Sequence, residues 1–376
     1  MTRYAGDNFI SNEAPAKIDI WLWLIPLILS GLGILMVTTT TSNMVYDVSG
    51  SPFTMGIRQT RSLGLGFVMM FIAFCVPTRF WRNIAGLLWI AAVIMLFATL
   101  IPGIGNSSGG ASRWLRIGGI SIQPSEIMLL AAVLESGKIF EKHAFDQKKC
   151  FIATLVLIVV SAIPMLFQPD LGSTIFLTLV CVGMFTERFG WKLPIMLGVV
   201  GMLLLVLLVV LEPYRMRRIN AFRDPYSDPL GSGFQTIQGL IAFANGGIWG
   251  SGLGHGFQKL QYLPAAYTDF IYAALGEELG LLGTLGVLLL VAFWLLRCRI
   301  LYGRAENGYG KSVAWGITLT IILPLFINVG GVTNMMPLTG MPLPFMSYGG
   351  SALVMAWMRI GLLLRLQKDA AKRLSA

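Results

Sequence analysis

The sequence predicts an all-α integral membrane protein, a polytopic bundle of about ten transmembrane helices with one long outer loop. Three observations lead there. Of 376 residues, 55% are hydrophobic and only 12% are charged, about half the charge of a soluble domain. The apolar residues fall in long runs, most of them near the ~20 residues that cross a bilayer. Proline, glycine and charge collect between the runs. The net charge of +10 is therefore read as topology and contact with anionic membrane lipids, not as nucleic-acid binding.

Spans are expected near 18–41, 59–77, 84–102, 124–140, 151–167, 171–186, 191–211, 269–297, 312–334 and 345–366. The fifth and sixth form a tight pair joined at 168–171, around Pro169 and Asp170. The residues before the first run are polar and that run is long enough to span, so no cleavable signal peptide is expected. An even number of spans puts both termini on one side. With the N-terminus cytoplasmic, the inner segments hold 18 of the 28 Lys and Arg residues, the outer segments nine, and Arg359 lies within the last span. The positive-inside rule then predicts both termini in the cytoplasm. In this reading a single membrane domain carries a cytoplasmic segment 1–17, a large extracytoplasmic loop 212–268 and a basic cytoplasmic tail 367–376. The four cysteines leave no outer pair to oxidise, and two histidines make a histidine-based metal site improbable.

The outer segments carry the polar information. Asp269 opens the eighth span, and a stripe at 100° per residue runs from it through Ala273, Gly276, Gly280, Gly283 and Val287. Small residues on that face admit close packing against another helix or the wall of a cavity. An ionisable group at a span invites a functional reading, whereas Asp at a helix start also suits an N-cap. Glu277 and Glu278 lie off the stripe. Upstream, Arg113, Trp114 and Arg116 stand close before Gln123 and Glu126, with Pro124 suited to the first helical position. The long loop begins with Arg215, Arg217, Arg218 and Arg223, and Lys259 precedes Asp269. Its middle has apolar residues at 234, 237, 240, 241 and 244, a helical pattern too short to span. Near the end, 328–334 and 341–351 interrupt the apolar pattern, either as plain outer turns or as broken backbone lining a cavity.

On the outer face, then, are a carboxylate at a helix start, several cations and a groove of small residues open to lipid. No Ser-His pair, Cys-His pair or P-loop accompanies them. Such a site suits an anionic lipid-linked substrate, with cations on its phosphates and a carboxylate taking a proton from an attacking hydroxyl. A helix N-terminus is expected to keep Asp269 ionised and to weaken it as a base.

The motifs Arg113-Trp114, 123–126 (Gln-Pro-Ser-Glu), 168–172 (Gln-Pro-Asp-Leu-Gly), 268–271 (Thr-Asp-Phe-Ile) with 277–280 (Glu-Glu-Leu-Gly), and 342–350 (Pro-Leu-Pro-Phe-Met-Ser-Tyr-Gly-Gly) together resemble the SEDS family of bacterial cell-wall polymerases, the FtsW and RodA group. The resemblance runs from the first span to the last and leans to the division type, FtsW. It implies a peptidoglycan glycosyltransferase of the bacterial plasma membrane that polymerises lipid II into β-1,4-linked glycan with inversion, undecaprenyl pyrophosphate leaving. Asp269 corresponds to the family's essential aspartate and takes the general-base role. Arg113, Trp114, Arg116, Gln123, Glu126, Arg215, Arg218, Arg223, Lys259 and Ser347 become candidates for binding substrate, with Asp170, Glu277 and Glu278 supporting. The implied partners are lipid II and the nascent glycan strand, a class B penicillin-binding protein as transpeptidase, and other divisome or elongasome membrane proteins. No cofactor is implied; a divalent cation at the pyrophosphate is the one addition the chemistry admits.

The sequence departs from the family pattern at Leu129, where a lysine is usual, and at Ala265 and Tyr267, where Glu and His are usual. Two other functions compete: a lipid II flippase, which requires charges along a path through the bundle, and a non-enzymatic scaffold, which does not require Asp269.

Overall fold

The computed structural model describes residues 18–49, 51–103, 105–108, 111–117, 120–195, 198, 201, 206, 213–257, 263–305 and 308–374. Long apolar runs that must satisfy their own backbone in lipid become helices. They are α1 (Trp21–Ser49), α2 (Thr54–Cys75), α3 (Thr78–Ala98), α4 (Pro124–Lys142), α5 (Gln147–Phe167) and α6 (Leu171–Phe189). The loop segment follows with α7 (Pro213–Arg223), a 3₁₀ turn (Pro225–Ser227) and α8 (Phe234–Gly246); then come α9 (Ile271–Arg304), α10 (Gly308–Val332) and α11 (Gly350–Leu374). Six of these, α1, α3, α5, α6, α9 and α10, are apolar and long enough to cross a membrane. α2, α4 and α11 have comparable lengths, but α2 and α11 carry Gln59 and Arg359 into the interior and α4 begins with a half-buried Glu126. The seventh expected span, 191–211, lies mostly outside the described residues.

Boundaries shift from the sequence reading at several ends. α2 and α3 start five to six residues early, and α11 runs on to Leu374, so most of the expected basic tail is helix. α11 packs along α2, α3 along α4, and α10 against α4 and α6. Trp294, Trp357, Phe140, Phe185 and Met128 fill the interior, while Phe71, Leu87, Ile94 and Leu289 are more than half exposed on the outside of the bundle. An apolar exterior of this kind suits hydrocarbon rather than water.

Two features add detail to the helical bundle. A three-stranded antiparallel sheet, β1 (Gly105–Ser108), β2 (Ala111–Ile117) and β3 (Ile120–Ile122), precedes α4 in the order β1-β2-β3. Its sequence signal is the pair of Gly-Gly dipeptides at 109–110 and 118–119, each separating two short runs.

The second is that α9 is two helices joined at Gly280, whose φ of 66° lies in the left-handed region. Breaking a membrane helix frees backbone groups that must find partners. The glycine-rich segment after α8 supplies them. Ser251 N donates to Glu277 O at 2.9 Å and Gly252 N to Glu278 O at 3.0 Å, while Leu281 N reaches Gly247 O at 2.9 Å. A β-carbon at Gly280 would collide with the backbone of Gly250 and Ile248. The small-residue stripe is therefore interrupted at Gly280. Its first half, with Gly276 against Phe243 and Gly246, is covered by α8 and is not a groove open to lipid.

Candidate active site

Asp269 lies in the turn just before α9. The cap position belongs to Phe270, and no side-chain capping bond is made there. The capping alternative therefore has no support in the geometry. Instead, three consecutive carbonyls of this turn are each held by another part of the chain. Tyr348 N donates to Tyr267 O at 2.9 Å. Ser347 Oγ donates to Thr268 O at 2.6 Å, and Asn328 Nδ2 donates to Asp269 O at 2.7 Å. The Asn328 amide also reaches Met341 O at 2.7 Å. Behind this splint, fully buried Gln59 of α2 donates to Ser347 O at 3.0 Å and accepts from Gly349 N at 3.4 Å. The interrupted segments at 328–334 and 341–351 thus fix the backbone of Asp269.

The carboxylate faces Gly340. A β-carbon there would come within 3.3 Å of Asp269 Oδ2 and 3.7 Å of Arg218 Nη1, at a φ of 74° that favours glycine. Arg218 of α7 donates to Leu338 O at 2.9 Å. Burial pushes the Asp269 carboxyl above the usual range, and the Arg218 and then the Arg113 guanidinium oppose that rise. The sequence reading has a helix N-terminus holding this group down. Burial is the larger effect, so the direction is reversed, and a raised carboxyl pKa makes a stronger base.

Two cavities meet at this point, divided by residues 338–340. The larger, about 600 Å³, lies under α7 and the start of α8, with Arg217, Arg218 and Leu338 in its wall. The smaller, about 120 Å³, is enclosed by α4, α6, α10 and α11, and Arg113, Gln123, Glu126, Asp170, Gly340 and Arg359 are in its wall. Asp269 stands against the partition rather than in either wall.

Two ion pairs line the smaller cavity. Arg113 Nη1 is 3.7 Å from Asp170 Oδ1, and its Nη2 donates to Pro169 O at 2.9 Å. Asp170 also caps α6 by accepting from Ser173 N at 3.2 Å. Across the cavity, Arg359 Nη2 is 2.7 Å from Glu126 Oε2.

The other candidates divide as follows. β2 is bulged at Arg113, which lines the smaller cavity, whereas Trp114 and Arg116 line neither cavity. Arg116 and Arg223 are exposed, and Arg223 lies in neither wall. The Arg215 side chain and all of Lys259 lie outside the described residues. Ser347 borders the smaller cavity, but its hydroxyl is engaged by Thr268 O and by Leu343 N at 2.8 Å, which makes it part of the splint. Glu277 and Glu278 are buried and point to the glycine segment. Glu277 Oε1 accepts from Phe257 N at 3.0 Å and Glu278 Oε2 from Gly254 N at 3.0 Å.

Sequence reasoning missed Gln59, Asn328 and Arg359 as site residues, because each acts across helices far apart in the chain. Only Arg359, a charge within a span, carried a signal. Among the described residues no three His, Cys, Asp or Glu side chains gather as a metal requires. Asp170 and Glu126 are each engaged by an arginine. The described residues thus gather no protein ligand set for a cation.

Known proteins extend this picture. The family described as "Cell cycle protein", that of FtsW, RodA and SpoVE, matches residues 20–372. The "Probable peptidoglycan glycosyltransferase FtsW" of Coxiella burnetii is 36% identical over 93% of this chain and 95% of its own length. The "Stage V sporulation protein E" of Bacillus subtilis is 37% identical over 93% of this chain and 97% of its own. Among solved structures, a chain from work titled "Structural coordination of polymerization and crosslinking by a peptidoglycan synthase complex" superposes with a TM-score of 0.77 at 25% identity, covering 94% of this chain and 98% of that one. Thermus thermophilus RodA, 23% identical, shares the fold with a TM-score of 0.69 over 94% of this chain and 97% of its own. The chain is an integral membrane protein that belongs to the cell cycle protein family of FtsW, RodA and SpoVE, the SEDS family.

Proposed function

We propose that this chain is a peptidoglycan glycosyltransferase that polymerises lipid II on the outer face of the bacterial plasma membrane, with both termini in the cytoplasm. The observation that carries the reading is the placement of Asp269. Its carboxylate, on a backbone splinted by Tyr348, Ser347 and Asn328, lies beside Arg218 and within the field of Arg113 where two cavities adjoin.

In this reading Asp269 takes the proton from the 4-hydroxyl of the acceptor GlcNAc. That oxygen forms the β-1,4 bond to the anomeric carbon of the donor glycan, and the bond from that carbon to undecaprenyl pyrophosphate breaks with inversion. The leaving pyrophosphate carries away the bonding electrons, and its charge is met by Arg218 and Arg113. Raised by burial, Asp269 is a stronger acceptor than a solvent-exposed aspartate, and rigid placement supplies the rest of the rate. A class B penicillin-binding protein completes the complex as transpeptidase, and the 36% identical FtsW relative supports the division type.

The test is to purify the chain with a transpeptidase-dead class B partner, supply lipid II, and look for glycan strands by gel electrophoresis. Polymer is expected. A well-folded complex that forms none contradicts the reading.

A further inference from the structure

Among the described residues, three of the buried side-chain atoms that lack a hydrogen-bond partner are Arg113 Nε, Asp170 Oδ2 and Arg359 Nε, all on residues in the wall of the smaller cavity. Folded proteins pair nearly all buried polar atoms. A wall where three stay unpaired has bonding capacity left for something else.

Arg359 is the least explicable of the three as scaffolding. It is 4% exposed at membrane depth, a costly place for a charge. Its two bonds to Glu126, at 2.7 Å to Oε2 and 3.0 Å to the backbone carbonyl, both leave from Nη2. α4 offers Glu126 no cation of its own, since Leu129 one turn on is apolar and buried. A counterion alone could be a lysine. A guanidinium has five donors in a rigid fork, and one nitrogen serves Glu126. Ala352 and Ala356 stand on the same face of α11 as Arg359 and in the same cavity wall, so its neighbours along that face are small.

We propose that Arg359 is a substrate-binding residue of this site: oriented by Glu126, its Nε edge donates to an oxygen of the sugar–pyrophosphate head of the lipid-linked substrate. The inference rests on the glycosyltransferase reading and adds a contact to it. The shared chemistry is an oxygen acceptor, which either the pyrophosphate or the sugar supplies.

The test uses the full chain with its partner. Arg359→Lys keeps a positive charge for Glu126 and removes the fork. A second variant, Glu126→Leu with Arg359→Leu, removes the pair together, because losing the arginine alone leaves a buried unpaired carboxylate that endangers folding. Melting temperature is measured first, then kcat and KM for lipid II. In an Asp269→Asn background, where no turnover is expected, binding of fluorescent lipid II and of undecaprenyl pyrophosphate is measured directly. Arg359→Lys is expected to melt like the parent, to raise KM about tenfold with kcat within about twofold, and to weaken binding to match. Weakened binding of both probes assigns the contact to the pyrophosphate; weakened binding of lipid II alone assigns it to the sugar. The double-leucine variant is expected to fold and to share the binding defect. Parent-like KM and binding in Arg359→Lys, or in a folded double-leucine variant, overturns the proposal and leaves Arg359 a counterion. A parent complex that binds lipid II and never polymerises it contradicts the glycosyltransferase reading instead, and the binding comparison still decides Arg359.

Discussion

Asn328 of α10 holds the backbone carbonyl of Asp269 at 2.7 Å and, with the same amide nitrogen, the carbonyl of Met341 at 2.7 Å. One buried side chain thus ties the turn that carries the carboxylate to the segment that faces it. Asn328→Asp puts an acceptor against two carbonyl oxygens, and Asn328→Ala leaves both unpaired at a cost of about 1–3 kcal/mol each. Asn328 touches no reacting atom in the proposed mechanism, so the defect is expected in kcat, by about tenfold or more, with KM little changed. Steady-state kinetics on lipid II check this. A defect confined to KM contradicts the positioning role.

Gly280 is a second control point far from the chemistry. Gly280→Ala adds a β-carbon in the left-handed region, at about 1–2 kcal/mol, and drives it into the Gly250 and Ile248 backbone. The melting temperature is expected to fall by several degrees, with activity falling alongside, because the first half of α9 carries Asp269 at its start. An alanine variant with parent-like melting and activity shows that the break in α9 is dispensable.

The cations around Asp269 make a pH prediction. Burial raises the Asp269 carboxyl, while Arg218 and then Arg113 draw it back. A base acts when ionised, so the rate falls as pH drops through this raised pKa. Arg218→Met removes the larger opposing charge and lifts the pKa further. The acidic limb of the kcat–pH profile is therefore expected to move to higher pH. No movement, or movement to lower pH, contradicts the electrostatic assignment.

Position also separates the arginines. Arg113 and Arg218 act on the Asp269 carboxylate, whereas Arg116 and Arg223 are exposed and away from both cavities. Alanine at either of the first two is expected to lower kcat/KM at least tenfold, with lysine a poor rescue. Alanine at either of the last two is expected to leave it within about threefold. Equal losses at all four would point to a diffuse surface attraction for lipid phosphate.

The apolar helices, and the place of Asp269 just before one of them, are legible in the sequence because they rest on local signals, a long apolar run and a carboxylate at its start. The helix at Phe234–Gly246 was legible for the same reason, from its apolar period. What escaped was non-local. Nothing around Asn328 or Gln59 marks them as partners of residues on other helices. The break at Gly280 resembles any glycine in a small-residue stripe until Gly250 is seen against it. The pKa direction of Asp269 is not legible there, because the sequence displays the helix end and not the burial of the carboxyl. The β2 strand is short and lies between helical spans, so its Gly-Gly boundaries are its one local signal.

The most direct measurement concerns Asp269→Asn. With its folded pKa raised, the ionised carboxylate weighs against folding at neutral pH: its contribution to stability is present below the unfolded pKa and lost as pH rises through the folded one. Asparagine keeps the shape without the charge, so the variant is expected to melt no lower than the parent. Loss of a positioned base costs about 10²–10⁴ in rate. Purified with its transpeptidase partner and shown to be folded, Asp269→Asn is expected to form glycan from lipid II at least about a hundredfold more slowly than the parent. Polymerisation at near the parent rate by a well-folded variant contradicts the assignment of Asp269 as the base.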